Sequence, residues 1–299
     1  MIIASEALEA FLLEQKARLN AEKTIKDYRE KIGLWITWQS NQSLEQITTN
    51  DLRLYIASLR ERGLARETIR SYITALQVAW HFWSAEYEIA NPMQNIKKPV
   101  KKKSQPKSIS TVDFVKLFDA AKGHSVMAWR NRAILAVLAD TGARRGELLS
   151  LTIDIDIRHR RGTVIGKTGE RTIYWTHYTN KLLVNWISIR PDCESNALFV
   201  SLRTGHKSMP LTGSGINQML RNLKKTAGIT GRVNPHSFRH KFAQEYIKCG
   251  GDVITLAHLG GWRDLKTIQE AYAVFDEEEL SKMQSEKSPL LSMLGVRHG

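Results

Sequence analysis

Residue types that together can break a phosphodiester stand in order along this 299-residue chain. Arg144 lies in Thr141-Gly142-Ala143-Arg144-Arg145-Gly146-Glu147-Leu148, and His236-Ser237-Phe238-Arg239 follows much later. Leu259-Gly260-Gly261-Trp262 and an isolated Tyr272 come last. Arginine forks hold non-bridging oxygens through paired charge-assisted hydrogen bonds, and a phenol supplies an attacking oxygen. A phenol with a pKa of about 10 attacks at neutral pH only if cationic neighbours or a base help remove its proton. The arginines and His236 are suited to that task.

Local spacing says how each group is aimed. Arg144 follows a Thr-Gly turn, and Glu147 three residues on, at helical spacing, would fix its guanidinium from behind; a purely structural ion pair is the alternative. His236 and Arg239 are three apart and share a helix face. Pro235 fits a first helical turn, where backbone N–H groups and the positive end of the dipole also favour phosphate. His240 stands four residues after His236, a spacing that can hold a metal. The glutamate of HExxH is missing and Arg239 would repel a cation, so no metal is expected. Tyr272, in Ile268-Gln269-Glu270-Ala271-Tyr272, taken alone reads first as a core residue with its hydroxyl at the surface.

These groups must be carried by a mainly helical scaffold. From Ser5 to Ala90 apolar residues recur at helical spacing: Leu8, Phe11, Leu12 and Leu19, then Ile25, Tyr28, Ile32, Trp35 and Trp38. Leu52, Tyr55, Ile56 and Leu59 follow Asn50, a candidate cap, and stop at Gly63; Ile69, Tyr72, Ile73, Leu76 and Phe82 make a fourth helix. Trp35, Trp38, Trp80 and Trp83 read as core. Residues 1–96 are thus one helical domain. Residues 97–108 form a lysine-rich linker too charged and proline-rich to fold on itself, and Lys97, Lys98, Lys101, Lys102 and Lys103 are candidates for DNA-backbone contact. Residues 109–299 form a second, α+β domain. In it Ser110 or Thr111 caps a first helix, a second runs from about Trp129 to Asp140, and Ile153 to Trp175 alternates as a small antiparallel sheet. Gly166-Lys167-Thr168-Gly169 interrupts that alternation and places Lys167 on an exposed hairpin. Helices return after it, broken at Gly213, Gly228 to Gly231, Gly250-Gly251 and Gly260-Gly261.

Lys plus Arg number 44 against 30 Asp plus Glu, a net charge of +14. Such a balance favours a polyanionic partner through counterion release. The excess sits in the linker, with six lysines and no acid, and in the second half, while residues 1–96 carry 11 basic and 12 acidic side chains. No apolar run approaches the roughly 20 residues that cross a bilayer, and Met1 to Ala10 lacks the pattern of a signal peptide, so a cytoplasmic, nucleoid-associated location is expected. Cys193 and Cys249, far apart, read as reduced thiols.

In this order the motifs resemble the tyrosine recombinases, the family of phage integrases and Xer-type enzymes, over most of the chain. The resemblance implies a helical core-binding, SAM-like domain followed by a catalytic domain. It implies that Arg144 is the first catalytic arginine, Lys167 the hairpin lysine that protonates the leaving 5′ oxygen, His236 and Arg239 the HxxR pair, and Tyr272 the nucleophile. Trp262 takes the place often held by histidine, where an indole N–H still donates to a phosphate oxygen. Its interval to Tyr272, ten residues, is one longer than the commonest spacing, and His258 is the other candidate. Glu147 and His240 would support these groups. The reaction implied is strand cleavage and rejoining through a 3′-phosphotyrosyl link, without cofactor, on double-stranded DNA with paired sites. It proceeds by a homotetramer and a Holliday junction, in integration, excision or resolution, with accessory DNA-bending proteins in some systems. Leu280, Met283, Leu290, Leu291 and Leu294 form an apolar tail that could dock on a neighbouring protomer or on its own domain. Type IB topoisomerase-like relaxation and non-catalytic DNA binding are the competing readings.

Overall fold

A computed structural model describes residues 1–100, 107–166, 169–202, 208–272, 277–287, 290 and 293. The chain divides into two compact units, Met1–Lys103 and Ser104–Gly299. None of the described helices is long and apolar enough to cross a membrane.

The first unit contains α1 (Ala4–Ala17), α2 (Glu22–Trp38), α3 (Thr49–Glu61) and α4 (Arg66–Glu86). Their apolar stripes meet around Phe11, Trp35, Trp80 and Trp83, all fully buried. Trp80 and Trp83 meet edge to face at 5.4 Å between ring centroids, and the Trp83 indole N–H donates to the Ala7 carbonyl at 2.8 Å. Three expectations need correction. Trp38 is 41% exposed: it is the last residue of α2, and its ring covers Tyr55 from the surface. Leu19 is 91% exposed because α1 ends at Ala17 and the chain reverses there, with Leu19 itself at φ 55°. Thr48, not Asn50, caps α3: its hydroxyl accepts from the Asp51 N–H, and the Asp51 carboxylate accepts from the Thr48 N–H at 2.8 Å.

The second unit begins with α5 (Thr111–Ala120), capped by Ser110, and α6 (Val126–Thr141), capped by Ser125. Helix α6 is apolar nearly all round, with Ala133 through Leu138 buried, so it runs through the core. Next come α7 (Arg145–Ser150), the antiparallel hairpin of β1 (Arg161–Gly166) and β2 (Gly169–Tyr174), and α8 (His177–Ile189). Asp140 anchors the start of α8, accepting from the Thr176 N–H and from the Thr176 and Thr179 hydroxyls. Residues 153–160 do not pair as a strand. There Asp156 accepts from the His159 N–H and from Arg161 Nε, closing a turn in which Arg160 takes φ 52°.

Helices α9 (Gly213–Thr226), α10 (Pro235–Lys248), α11 (Val253–Gly260), α12 (Leu265–Tyr272) and α13 (Glu277–Lys287) complete the unit. Gly213 begins α9 rather than breaking the chain, because the Thr212 hydroxyl accepts from the Gly215 N–H. Helices α10, α11 and α12 share a small core of Ala243, Ile247, Leu256, Ala257, Ile268 and Tyr272.

Candidate active site

Arg144 is the residue that caps α7. Helix α6 closes at Gly142 in the left-handed region, φ 58°, where a side chain would also collide with the Phe242 ring. The chain then turns so that the Arg144 N–H and Nη1 donate to the Glu147 carboxylate at 2.8 and 2.7 Å, while Nη2 donates to the Gly261 carbonyl at 2.9 Å. Glu147 is 1% exposed and takes a second guanidinium, that of Arg171, at 2.8 Å. Burial alone would raise the Glu147 pKa; bonds from Arg171 and from Arg144 outweigh it and hold the carboxyl at about 2.

Arg239 rises from the first turns of α10, which Asn234 caps by accepting from the Ser237 N–H and in which Pro235 takes the first position. It is buried, with Nη1 donating to the Gly142 carbonyl at 2.8 Å. Its Nη2, also buried, has no hydrogen-bond partner among the described residues. The Arg239 guanidinium lies over the Trp262 ring, its carbon 3.6 Å from the centroid. Burial and then Arg144 push the Arg239 pKa below its ordinary value, so an anion here relieves a real electrostatic cost.

The turn that delivers Trp262 is made by glycines for steric reasons. A methyl group on Gly260 would strike the Trp262 ring, and Gly261, at φ 66°, would bring one to 2.7 Å from Arg171 Cδ. His258 is exposed on α11, so Trp262 is the residue brought beside Arg239. The ten-residue interval is taken up by a bend where Asp264 accepts from the Lys266 N–H and the Thr267 hydroxyl. Helix α12 then returns Tyr272 edge-on to Trp262, with 6.2 Å between ring centroids.

Tyr272 is 8% exposed, and its hydroxyl is hydrogen-bonded to His240 Nδ1. Burial pushes its pKa up to about 12, with Arg239 pulling the other way. His240 is driven down to about 4 by burial and then by His236, whose ring stacks on it at 5.9 Å. His236, at the surface of the site, is lowered in turn by burial and by Arg239 and Arg144. At neutral pH the site therefore holds a protonated phenol and neutral imidazoles beside guanidinium groups, an arrangement fitted to an oxyanion.

The profile of the phage integrase family matches residues 107–279, and that of the phage integrase N-terminal SAM-like domain matches residues 7–86. The chain belongs to the phage integrase family. It is a tyrosine recombinase, one of the DNA breaking and rejoining enzymes. Among its relatives is the tyrosine recombinase XerC of Alcanivorax borkumensis, 29% identical over 275 residues that cover 89% of this chain and 88% of that protein. The fold is shared with XerH site-specific recombinase bound to palindromic difH substrate in a post-cleavage complex: TM-score 0.72, 21% identity, 94% of this chain and 84% of that one. It is shared too with a lambda integrase dimer bound to a COC′ core site: TM-score 0.74, 20% identity, 92% of this chain and 98% of that one.

The fold thus brings together Arg144, Glu147, His236, Arg239, His240, Trp262 and Tyr272. Lys167 lies outside the described residues, as do Lys101, Lys102 and Lys103; Lys97 and Lys98 are exposed. Sequence reasoning missed Arg171. It shares a strand face with buried Ile173, and a charged residue at an inward position of an alternating strand is the signal that could have found it.

Glu147 makes stability depend on pH. Its folded-state pKa lies below its ordinary value, so its contribution is complete above about pH 4.5 and is lost as pH falls toward 2. The full contribution is roughly 3 kcal/mol, of which about 2 kcal/mol is gone by pH 3. Denaturant unfolding at pH 7 and pH 3 should show that loss, and Glu147→Gln should remove its share of the pH dependence. An identical pH dependence in wild type and variant would contradict the assignment.

Proposed function

We propose that the chain is a site-specific DNA recombinase whose Tyr272 forms a 3′-phosphotyrosyl link. The observation that carries this reading is Arg239: a buried guanidinium with one N–H unpartnered among the described residues, under the Trp262 ring that meets Tyr272 edge-on. In the proposed reaction the phenolic oxygen bonds to phosphorus as the bond to the 5′ oxygen breaks. Arg144, Arg239 and Trp262 stabilise the charge on the pentacoordinate phosphorus, the phenol proton passes to the His236–His240 pair, and Lys167 protonates the leaving 5′ oxygen. The ester keeps the bond energy, so attack by a 5′ hydroxyl reverses the step.

Recombination needs four such exchanges, hence four protomers on two duplexes and a Holliday junction between rounds. The tail supports assembly: Leu280 and Leu290 are exposed, and the second unit holds an apolar cavity of about 800 Å³ lined by Phe114, Trp175, Phe238, Phe242 and Tyr246. The Met283 side chain, Leu291 and Leu294 lie outside the described residues. In this reading residues 1–96 and 109–299 each bind double-stranded DNA in the cytoplasm, tethered by the basic segment 97–108, and a charge of +14 supplies non-specific affinity. Two relatives of the same fold are bound to DNA, as XerH is to difH and lambda integrase to its core site.

Incubation with fragmented genomic DNA and sequencing of the covalently captured fragments should define one site. A plasmid carrying two copies of it should then be recombined. Relaxation of supercoils at arbitrary sequences, without exchange, would make the protein a topoisomerase instead.

A further inference from the structure

Arg171 joins three parts of the site that are remote in sequence. It leaves β2 opposite Val164, and its side chain is 15% exposed. Nε and Nη2 donate to the two oxygens of Glu147 at 3.3 and 2.8 Å, and Nη1 donates to the Leu259 carbonyl at 2.7 Å. Gly261 closes against its stem, which leaves no room for a Cβ. The same Glu147 carboxylate holds Arg144, and Arg144 in turn donates to the Gly261 carbonyl. One negative charge is therefore divided between two guanidiniums. Bonded to Arg144 alone it would neutralise that residue; shared, it fixes the Arg144 rotamer and leaves the trio a net positive charge for a phosphate.

We propose that Arg171 is a positioning residue for attack on the scissile phosphate, holding Glu147 so that Arg144 keeps its aim and charge, and holding the Leu259–Gly261 turn so that Trp262 stays over Arg239. The inference rests on the recombinase reading. Lysine replaces it only in part, because an ammonium supplies the charge without the planar fork that spans Glu147 and Leu259.

The experiment measures single-turnover covalent-complex formation on a nicked duplex carrying the captured site, with either a phosphodiester or an uncharged methylphosphonate at the scissile position. Arg171→Ala should slow the phosphodiester reaction by about 10- to 100-fold while DNA affinity is unchanged, the size of effect that follows from misplacing a reacting group. On the methylphosphonate, where there is less charge to stabilise, the deficit should shrink to within about threefold. Arg171→Lys should recover only part of the rate. General loss of structure would slow both substrates alike, so an equal deficit on the two overturns the inference, as does wild-type activity in Arg171→Ala. Failure of the wild-type protein to form any covalent complex would remove the recombinase reading beneath it.

Discussion

Tyr272→Phe should bind DNA as the wild-type protein does and form no covalent complex with a nicked suicide duplex. The substitution removes one oxygen and keeps the ring. That ring sits in the small core of Ala243, Ile247, Leu256, Ala257 and Ile268, so folding should survive. The cost is the hydrogen bond to His240, about 1 kcal/mol in stability. Catalytically nothing replaces the oxygen: His240 and His236 are neutral imidazoles, and the guanidiniums cannot attack phosphorus. Gel-resolved covalent yield and a binding isotherm on one duplex check this, and a wild-type covalent yield would remove Tyr272 from the nucleophile's role.

The second large effect is expected at Arg239. Arg239→Ala should lower the single-turnover cleavage rate by about a hundred- to a thousandfold, the loss typical of one preorganised donor at a developing oxyanion. Its Nη2 has no other partner among the described residues and its charge is already desolvated, so its bond to phosphate is not diluted by competing protein contacts. The variant also frees the Gly142 carbonyl and uncovers the Trp262 ring, which costs roughly 1–3 kcal/mol of stability, partly offset by no longer burying a cation. Arg239→Lys separates these effects: it keeps the charge but reaches either Gly142 or the phosphate, not both. A rate within tenfold of wild type for Arg239→Ala, measured at saturating protein, would show that the phosphate does not lie against this residue.

Much of the scaffold was legible in the residues because its determinants are local. The helical stripes of α1 to α4, the Ser110 cap, the Gly142 and Gly261 stops and the Gly-flanked hairpin depend on neighbours within a few positions. Where the reading slipped, a competing local interaction had won. Thr48 outbid Asn50 because it could form a reciprocal box with Asp51, and Asp156 turned a stretch whose alternation looked like strand. Trp38 shows the limit of periodicity: a stripe says which face is apolar, and position along the helix decides burial, which gives out at the last residue of α2.

The residues alone determined the cast of the site and each member's immediate aim: His236 and Arg239 on one helix face, Glu147 three residues after Arg144, a phenol beyond a Gly-Gly-Trp turn. Only the tertiary structure decided the pairings, since they cross 117 residues from Arg144 to Gly261, 97 from Arg239 to Gly142 and 32 from His240 to Tyr272. It gave Glu147 to two arginines, set His240 on Tyr272 and brought in Arg171 from the hairpin. Helical spacing constrains only side chains within about a turn of one another. A charge shared in a buried site depends instead on which elements the core brings together.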